Sequence, residues 1–458
     1  METSTPPPHF EASTSGVSLP RPTDTSERIT SLDTLRGFAL LGILLMNVVG
    51  FGLYSRAYDN PTSAGGATGA NLWIWIVLHI LAEGKMRCLF SLVFGASVVL
   101  LTSRLEGRPD NGDIYYRRTL WLLVFGVVHA YLLWQGDILY PYALCALALY
   151  PFRRMRAKTL MIIGVSALIA LSAFSSYQGF TRRTDMLAAK AAAAKAERKE
   201  TLSEEETSAK EDWEKLLKRR NPPEDVLQKD AAKWQGNFIS VVKARGALVN
   251  DWNSSPYYYP GNLDIWGMMF LGMALFKYGV LSAKKSLRFY LLLMLGGYAV
   301  GGGINTYTAW QLVRSHFDPI VHSFSFCVYD LGRLAVALGH LSLIMILCQT
   351  GSLRFLTTRL GAVGQMAFTN YIMTSTICAF VFTGYGFGLY GMLERYQLYY
   401  IVAGISVFQL IASPIWLRHY RFGPLEWCWR ALTYWKRPPM RLSQPLVAPE
   451  LIPPAAPV

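Results

Sequence analysis

The chain has 458 residues, of which 52% are apolar and only 16% are charged, whereas soluble domains carry about 25% charged residues. Of its 74 Lys, Arg, Asp and Glu residues, 28 fall between residues 180 and 261, which leaves the rest too poor in charge for a soluble protein. Charge-free runs of about 17 to 20 residues recur, and a helix of that length crosses a hydrocarbon layer about 30 Å thick. The composition predicts an all-α, polytopic membrane protein.

The net charge of +14 would suggest nucleic-acid binding in a soluble protein. Its position along the chain indicates otherwise. Residues 180–261 hold 15 basic and 13 acidic side chains, so most of the excess lies in the membrane part, its short loops and the tails. Because positive charge in short loops encodes orientation, we expect membrane lipids as partners and no nucleic acid.

Residues 1–28 are rich in Pro, Ser and Thr and lack an apolar run, which predicts a disordered tail rather than a signal peptide. About ten transmembrane helices follow. We divide the run from 119 to 152 at Gly136 and Asp137, because a single helix of that length would extend about 50 Å. The predicted spans are residues 37–54, 86–103, 120–135, 138–152, 159–177, 263–276, 289–310, 331–348, 367–386 and 398–417.

The distribution of Lys and Arg between the loops predicts the orientation. With both termini in the cytoplasm, the inner segments hold 23 basic residues and the short outer loops hold 4. Excess positive charge marks the cytoplasmic side, and a missed helix would exchange the sides of every later loop. This topology places residues 180–261 on the outer side.

The chain is therefore expected to have two membrane bundles of five spans each, residues 29–179 and 262–417, separated by the charged insertion at 180–261. The insertion is predicted to form a helical hairpin, with a new helix capped by Asn221 and starting at Pro222. A disordered, charge-balanced linker is the alternative. Residues 418–436 predict an amphipathic helix on the inner surface, and residues 437–458 a disordered tail.

Asp33, Arg36 and Asn47 form the first candidate cluster, in the first span. Asp33 and Arg36 are three residues apart and share a helix face, so they can form a local ion pair. Equally, Arg36 can bind an anion at the inner mouth of the span. Asn47 lies about three helical turns further on, where its amide needs a partner.

His79, Glu83, Lys85 and Arg87 form the second cluster, within a run too long for one straight span. Gly84 predicts a break between a short outer helix, with His79 and Glu83 on one face, and the span proper. One hypothesis places these charges around an outer cavity that binds an anionic head group or substrate. The other is an interfacial loop whose Lys85 and Arg87 contact lipid phosphates.

His129, with Asp137 eight residues further on and about 12 Å away along a helix, is a further candidate. A buried histidine at mid-span can act as a general base, or can simply bond a backbone carbonyl.

Asp330 and Arg333 are spaced as an ion pair in the eighth span, with His340 deeper. Asn370 suits hydrogen bonding between helices or substrate binding.

The six cysteines show no paired metal spacing, and no phosphate-binding Gly loop or nucleophile elbow is present in the sequence. We predict no metal site and no disulfides, and expect the cysteines to serve as small apolar core residues. They are Cys88, Cys145, Cys327, Cys348, Cys378 and Cys428.

Four segments resemble the YeiB-like family of bacterial membrane proteins, whose C-terminal part is the DUF418 domain. Residues 32–43 with Asn47, and residues 84–95, resemble its N-terminal motifs. Residues 364–371 and 421–427 are similar to its terminal domain. The resemblance covers nearly the whole membrane portion and implies the bacterial cytoplasmic (inner) membrane as the location.

The Asp-x-x-Arg-Gly opening of the first span, with Asn47 deeper in it, is also distantly similar to transmembrane acyltransferases. Those enzymes move an acetyl group from cytoplasmic acetyl-CoA to a sugar on the far side of the membrane, and a histidine in the loop after the asparagine serves the transfer. In this chain residues 48–71 contain no histidine, and His79 and His129 are the first ones downstream.

The leading hypothesis is an acyltransferase-like enzyme acting on an envelope glycan or lipid. Arg36 would meet the phosphates of acetyl-CoA or another acyl-CoA, which is a donor substrate rather than a bound cofactor. A buried base, with His129 preferred over His79, would deprotonate the acceptor. The alternatives are a transporter whose intramembrane His and Asp groups line a solute path, and a noncatalytic envelope scaffold. The sequence leaves the oligomeric state open.

Overall fold

The computed structural model describes residues 29–255 and 261–442, and regular structure in these residues is helical. The prediction of an all-α fold is confirmed. The helices are α1 Thr30–Gly52, α2 Gly69–Leu81, α3 Lys85–Arg104, α4 Asn111–Leu132, α5 Leu139–Leu147, α6 Ala157–Glu197, α7 Glu204–Arg220, α8 Glu224–Trp234, α9 Phe238–Ser254, α10 Leu263–Lys277, α11 Leu287–Gly297, α12 Gly303–Arg314, α13 Pro319–Thr350, α14 Arg354–Gln365, α15 Ala367–Phe382, α16 Arg395–His419 and α17 Pro424–Tyr434.

Six helical segments of the described chain are long and apolar enough to cross a membrane. The other four predicted spans fall on α4, α5, α10 and α15, which are short or begin with charged residues. The chain is therefore a polytopic helical membrane protein. The six segments are Thr30–Gly52, Gly69–Arg104, Ala157–Glu197, Leu287–Arg314, Ser325–Thr350 and Arg395–His419.

Helix α1 lies at the centre and contacts α3, α13, α14, α15 and α16. Glycines allow its close approach to α14. A Cβ atom at Gly37 would overlap the carbonyl oxygen of Leu360, and one at Gly364 would overlap the carbonyl oxygen of Asp33. Small residues at such contacts let two helix backbones come together within a membrane.

The two ends of the bundle differ. The basic face is the end of the bundle that carries the 105–110 loop and α17. The insertion face is the opposite end, which residues 198–254 cover. Helix α1 starts at the basic face and ends at the insertion face, where the carbonyl of Gly52 accepts a hydrogen bond from the Gly391 N–H at 2.8 Å.

The described part of the insertion is helical and docked onto the bundle. Helix α6 continues from the membrane to Glu197, so the boundary expected at residue 180 falls inside a helix. The predicted start at Pro222 is wrong: Asn221 ends α7, and α8 begins at Glu224. The reason is that Pro222 precedes Pro223, and a residue before proline is driven out of the helical region.

The predicted amphipathic helix corresponds to α17, which begins after Gly423 with Pro424 at its first position. Its Trp429 ring lies 3.7 Å below the Arg118 guanidinium, and Glu426 accepts a hydrogen bond from the Phe368 N–H at 2.7 Å. Residues 437–442 of the tail predicted at 437–458 are ordered, since the Leu442 N–H donates to the His419 carbonyl oxygen at 3.2 Å, and the rest of that tail lies outside the described residues. The other predicted tail, residues 1–28, lies outside the described residues.

All six cysteines are free, as predicted, and Cys88, Cys145 and Cys378 are buried.

Candidate functional site

A large cavity opens at the basic face, with a volume of about 930 Å³. Helices α1, α3, α4 and α17 line most of it. The deep end is formed by Phe90, Leu139, Tyr142 and Tyr371, and is apolar apart from the two hydroxyls. Five arginines line the cavity against the carboxylates of Asp33, Glu106 and Glu426, and an excess of positive charge attracts anions. Its arginines are Arg36, Arg104, Arg108, Arg118 and Arg430.

Arg36 forms the predicted local ion pair and also lines this cavity. Its Nη1 atom pairs with Asp33 Oδ1 at 2.5 Å, and its Nη2 donates to Ser97 Oγ at 3.1 Å. The guanidinium is thereby fixed, and it still forms part of the cavity wall together with Asp33. The local ion pair orients a cation toward whatever enters from the basic face.

A second cavity of about 350 Å³ lies toward the insertion face. It brings together predicted candidates from both the first and second clusters, namely Asn47, His79, Glu83 and Arg87. The predicted break is present, because α2 ends at Leu81 and α3 begins after Gly84, which has a left-handed φ of 71°. The turn brings His79, Glu83 and Arg87 of the second cluster to one cavity.

His79 and Glu83 form an oriented pair in this cavity. The His79 Nδ1 atom lies 2.6 Å from Glu83 Oε2, and Nε2 lies 3.2 Å from the Thr308 hydroxyl. The imidazole stacks on Trp75 with ring centroids 4.9 Å apart. A carboxylate on one ring nitrogen fixes the tautomer, as in catalytic triads, and the other nitrogen faces the Thr308 hydroxyl.

Lys85 is fully buried and does not reach lipid phosphates. Its ammonium donates to the His79 carbonyl oxygen at 2.5 Å and to Asn305 Oδ1 at 2.9 Å. The interfacial-loop alternative is therefore wrong for Lys85. It holds the break between α2 and α3 in place, since a buried cation requires partners.

Arg87 lines the insertion-face cavity and belongs to a buried ion network. Its Nη2 atom lies 2.6 Å from Asp264 Oδ2. Arg333 donates to both oxygens of Asp264 and pairs with Asp330 at 2.7 Å. The predicted pair of Asp330 and Arg333 is present, but no local pattern pointed to Asp264, which joins them to Arg87. Asp330 and Arg333 line neither cavity; their contacts hold α10 and α13 together.

His129 and Asp137 form a hydrogen-bonded pair at 2.7 Å, and their side chains are 1% and 2% exposed. The predicted separation of 12 Å is wrong, because α4 ends at Leu132 and the chain turns back. Neither residue lines a cavity. His129 Nε2 is buried without a hydrogen-bond partner, and the ring lies 4.9 Å from that of Tyr371.

Two candidates from the second half of the sequence bond helices together. Asn370 is 1% exposed. Its side-chain amide donates to the Ser413 hydroxyl at 3.0 Å, and its backbone carbonyl oxygen accepts from the Gln409 side chain at 3.0 Å, which links α15 to α16. His340 lies 2.8 Å both from the Leu81 carbonyl oxygen and from the Tyr298 hydroxyl.

Asp59 is a cavity residue that sequence reasoning missed. It follows the first span in a loop and lines the insertion-face cavity. Desolvation, followed by the neighbouring Glu83 carboxylate, raises the pKa of Asp59 to about 6. A single aspartate in a loop belongs to no sequence motif, so Asp59 is recognised as a cavity residue only in the folded structure.

A thin septum separates the two cavities. On α3, Arg87 lines one and Phe90 the other, about 4.5 Å apart at helical rise. At the start of α5 the consecutive residues Ile138 and Leu139 line opposite cavities. The Tyr142 hydroxyl, at the deep end of the basic-face cavity, donates to the carbonyl oxygen of Arg87 at 3.2 Å.

These features define a polytopic helical membrane protein with a cavity toward each face and a septum between them. The chain belongs to the YeiB-like family. It is 31% identical to the uncharacterized protein YeiB of Escherichia coli (strain K12), over 89% of this chain and 96% of the relative. It is 29% identical to the uncharacterized protein YxaH of Bacillus subtilis (strain 168), over 90% and 96%.

A family model described as a protein of unknown function (DUF418) matches residues 275–436, from the end of α10 through α17. The chain is also 26% identical to an uncharacterized 39.9 kDa protein in the amylase 3' region of Bacillus acidopullulyticus, over 91% of this chain and 97% of the relative. No solved structure matches the chain significantly.

Proposed function

We propose that the protein transfers an acyl group across the septum, from an acyl-CoA in the basic-face cavity to an envelope glycan or lipid in the insertion-face cavity. The observation that carries the proposal is the approach of the two cavities to within one residue at Ile138 and Leu139. With the basic face in the cytoplasm of a bacterial inner membrane, each substrate would enter from the compartment that supplies it.

The basic-face cavity suits a donor with a polyanionic head and a short apolar end. Its arginines stand at the mouth, and its deep end is aromatic and aliphatic. Arg36, fixed by Asp33 and Ser97, would bind a donor phosphate. The thioester would then lie toward Tyr142 and Phe90, next to the septum.

The insertion-face cavity supplies groups for acid–base chemistry. His79 would accept the proton from an acceptor hydroxyl or amine as the new C–O or C–N bond forms at the thioester carbonyl. The C–S bond breaks as the tetrahedral oxyanion collapses, and the CoA thiolate takes up a proton. Arg87, held by Asp264, would stabilise the developing oxyanion.

We favour His79 over His129 as the base because His79 lines the cavity, whereas His129 lines neither cavity. The paired carboxylates also differ in position. Glu83 lines the same cavity as His79, while Asp137 is bonded to the N–H of Tyr140 at 2.6 Å and serves the turn before α5.

A test of this proposal measures acetyl-CoA binding and acyl transfer with the purified full-length protein in proteoliposomes. We expect radiolabelled acetyl-CoA to bind the wild type and to label a glycan or lipid in envelope fractions of the expressing bacterium. Arg36→Gln should weaken binding, while Arg354→Gln, an exposed arginine outside the cavity, should not. Absence of both binding and labelling in the wild type would refute the proposal.

A transporter is the second candidate, and the π-helical turn Tyr298–Gly302 within one span favours it, since interrupted helices line many transport sites. The same proteoliposomes separate the two functions. A transporter moves its solute unchanged from one side to the other, whereas acyl transfer leaves the label covalently attached to a glycan or lipid.

A further inference from the structure

One residue of the insertion joins both walls of the insertion-face cavity. Arg220 is the last residue of α7. Its carbonyl oxygen accepts hydrogen bonds from the Asn60 side chain, at 3.2 Å, and from the Ser63 hydroxyl. Its guanidinium donates to the carbonyl oxygen of Phe317 at 2.9 Å. The end of α7 therefore ties the loop after α1 to the turn between α12 and α13.

The first of these contacts fixes the position of Asp59. Asn60, the next residue, is 3% exposed, and its Oδ1 atom accepts hydrogen bonds from the backbone N–H of Thr62 at 3.1 Å and from its hydroxyl at 2.7 Å. The Thr62 hydroxyl also lies 3.0 Å from Asn221 Oδ1. The loop that presents Asp59 to the cavity is thus bonded to itself and to the end of α7.

The second contact leads through stacked rings to the proposed base. His316 and Phe317 adopt left-handed φ values of 53° and 59°, which is unfavourable for residues with a side chain and persists only where neighbours hold it. The Phe317 ring packs edge-on against Trp75, with centroids 4.9 Å apart. Trp75 in turn stacks on His79. The hydrogen bond from Arg220 to the Phe317 carbonyl oxygen restrains this turn.

We propose that Arg220 is a positioning residue for the insertion-face cavity, through which the insertion holds Asp59 and His79 in place for the acceptor. The acceptor substrate rests on the proposed function, whereas the positioning of Asp59 and His79 by Arg220 does not. The insertion is then a part of the binding site rather than an appended domain, and an acceptor must pass beside the end of α7 to reach His79.

Electrostatics supports the same assignment. Among the charged groups near Asp59, Glu83 opposes the carboxylate form of Asp59. The carboxylate form is favoured by Arg56, Arg220 and His79. Removal of the Arg220 charge should therefore raise the pKa of Asp59 further. A lysine at this position keeps the charge but cannot reproduce the planar guanidinium contact.

The test compares Arg220→Ala, Arg220→Gln and Arg220→Lys with Arg219→Ala in the full-length protein. Arg219 is the exposed neighbour and serves as the matched control. Hydrogen exchange followed by mass spectrometry reports on segments 55–63 and 315–318. We expect exchange at 315–318 to rise about tenfold in Arg220→Ala and Arg220→Gln, as for the loss of one charge-assisted hydrogen bond. Segment 55–63 is bonded to the backbone carbonyl of residue 220, which these substitutions keep, so its exchange should change less, with α7 and α8 still protected.

A second readout is the pH dependence of the melting temperature. The step due to Asp59 should move to higher pH in Arg220→Gln and stay in place in Arg220→Lys and Arg219→Ala. Unchanged exchange at 315–318, or a pH step that does not respond to the charge, overturns the proposal. Neither readout requires acyl transfer, so a failure of the proposed function would appear separately, as an absence of donor binding and labelling.

Discussion

The two cavities differ in how far their charged groups are exposed to solvent. At the basic face, Arg104 and Glu106 are exposed, and the deep wall offers only tyrosine hydroxyls. At the insertion face, His79 and Glu83 are bonded to each other. The first arrangement suits a ligand that brings its own charge, and the second suits chemistry on an uncharged group.

The two cavities also differ in the helices that form or restrain their walls. The wall of the basic-face cavity includes the short helix α17, while the wall of the insertion-face cavity is restrained by α7 through Arg220. Pre-organised groups stabilise a transition state because they need no rearrangement at the moment of reaction. The comparison therefore agrees with the proposal that the donor binds in one cavity and that proton transfer takes place in the other.

The largest effect is expected for His79→Gln. Glutamine keeps a polar side chain but cannot take up a proton, and loss of a general base costs about 10² to 10⁴ in rate. The turnover number for acyl transfer at saturating acetyl-CoA should fall by this factor, with donor binding retained. His419→Gln, at an exposed histidine, is the control. An undiminished turnover number would remove His79 from the reaction.

A smaller effect on a different parameter is expected for Arg36→Gln. Loss of a charge-assisted hydrogen bond to a donor phosphate costs about 1.5 to 3 kcal/mol, so the Kd for acetyl-CoA should rise by roughly 10 to 150-fold. The KM for the acceptor should not change, since Arg36 lies in the other cavity. Equal effects on both substrates would contradict the separation of roles.

Substitutions in the pair of His129 and Asp137 show whether His129 has a structural role or a catalytic one. His129→Ala should leave the Asp137 carboxylate buried without its partner, at a cost of about 3 kcal/mol or more in stability. We expect a lower melting temperature and a nearly unchanged turnover number per folded molecule. Adding Asp137→Asn should recover part of the stability, as a double-mutant cycle would show. Loss of turnover with full stability would instead support His129 as the base.

The smallest effect concerns the pH dependence of stability. Because the pKa of Asp59 is raised to about 6, the folded protein binds its proton more tightly than the unfolded chain does. This contribution is present at low pH and is lost as the pH rises through about 6. Asp59→Asn should flatten the fall in melting temperature between about pH 4 and 7 relative to the wild type. A wild-type curve that is flat in this range would be inconsistent with a raised pKa.

The sequence predicts the helical framework well because the membrane imposes it. Charge-free runs locate the spans, and Gly84 correctly marks the break between α2 and α3. The end of α6 is harder, since an Ala-rich segment carries the helix on from the membrane to Glu197 without a boundary signal.

The site is only partly predictable for a similar reason. Ionisable residues inside spans are conspicuous, and they include His79, Glu83 and Arg87, which the fold brings together. Asp59 lies in a polar loop, where an aspartate is unremarkable, and its role depends on which other loops approach it. The partner of a buried charge, such as Asp264 for Arg333, depends on helix contacts that a single sequence does not encode in any local pattern.

The most direct measurement of the central claim is the sidedness of transfer in sealed proteoliposomes of known orientation. Labelled acetyl-CoA is supplied only on the side of the basic face, and envelope lipid or glycan fractions only on the other side. We predict that the acyl label appears on the opposite side while the CoA moiety stays behind. Label that is found only on acceptors sharing the donor's compartment would contradict a reaction across the septum.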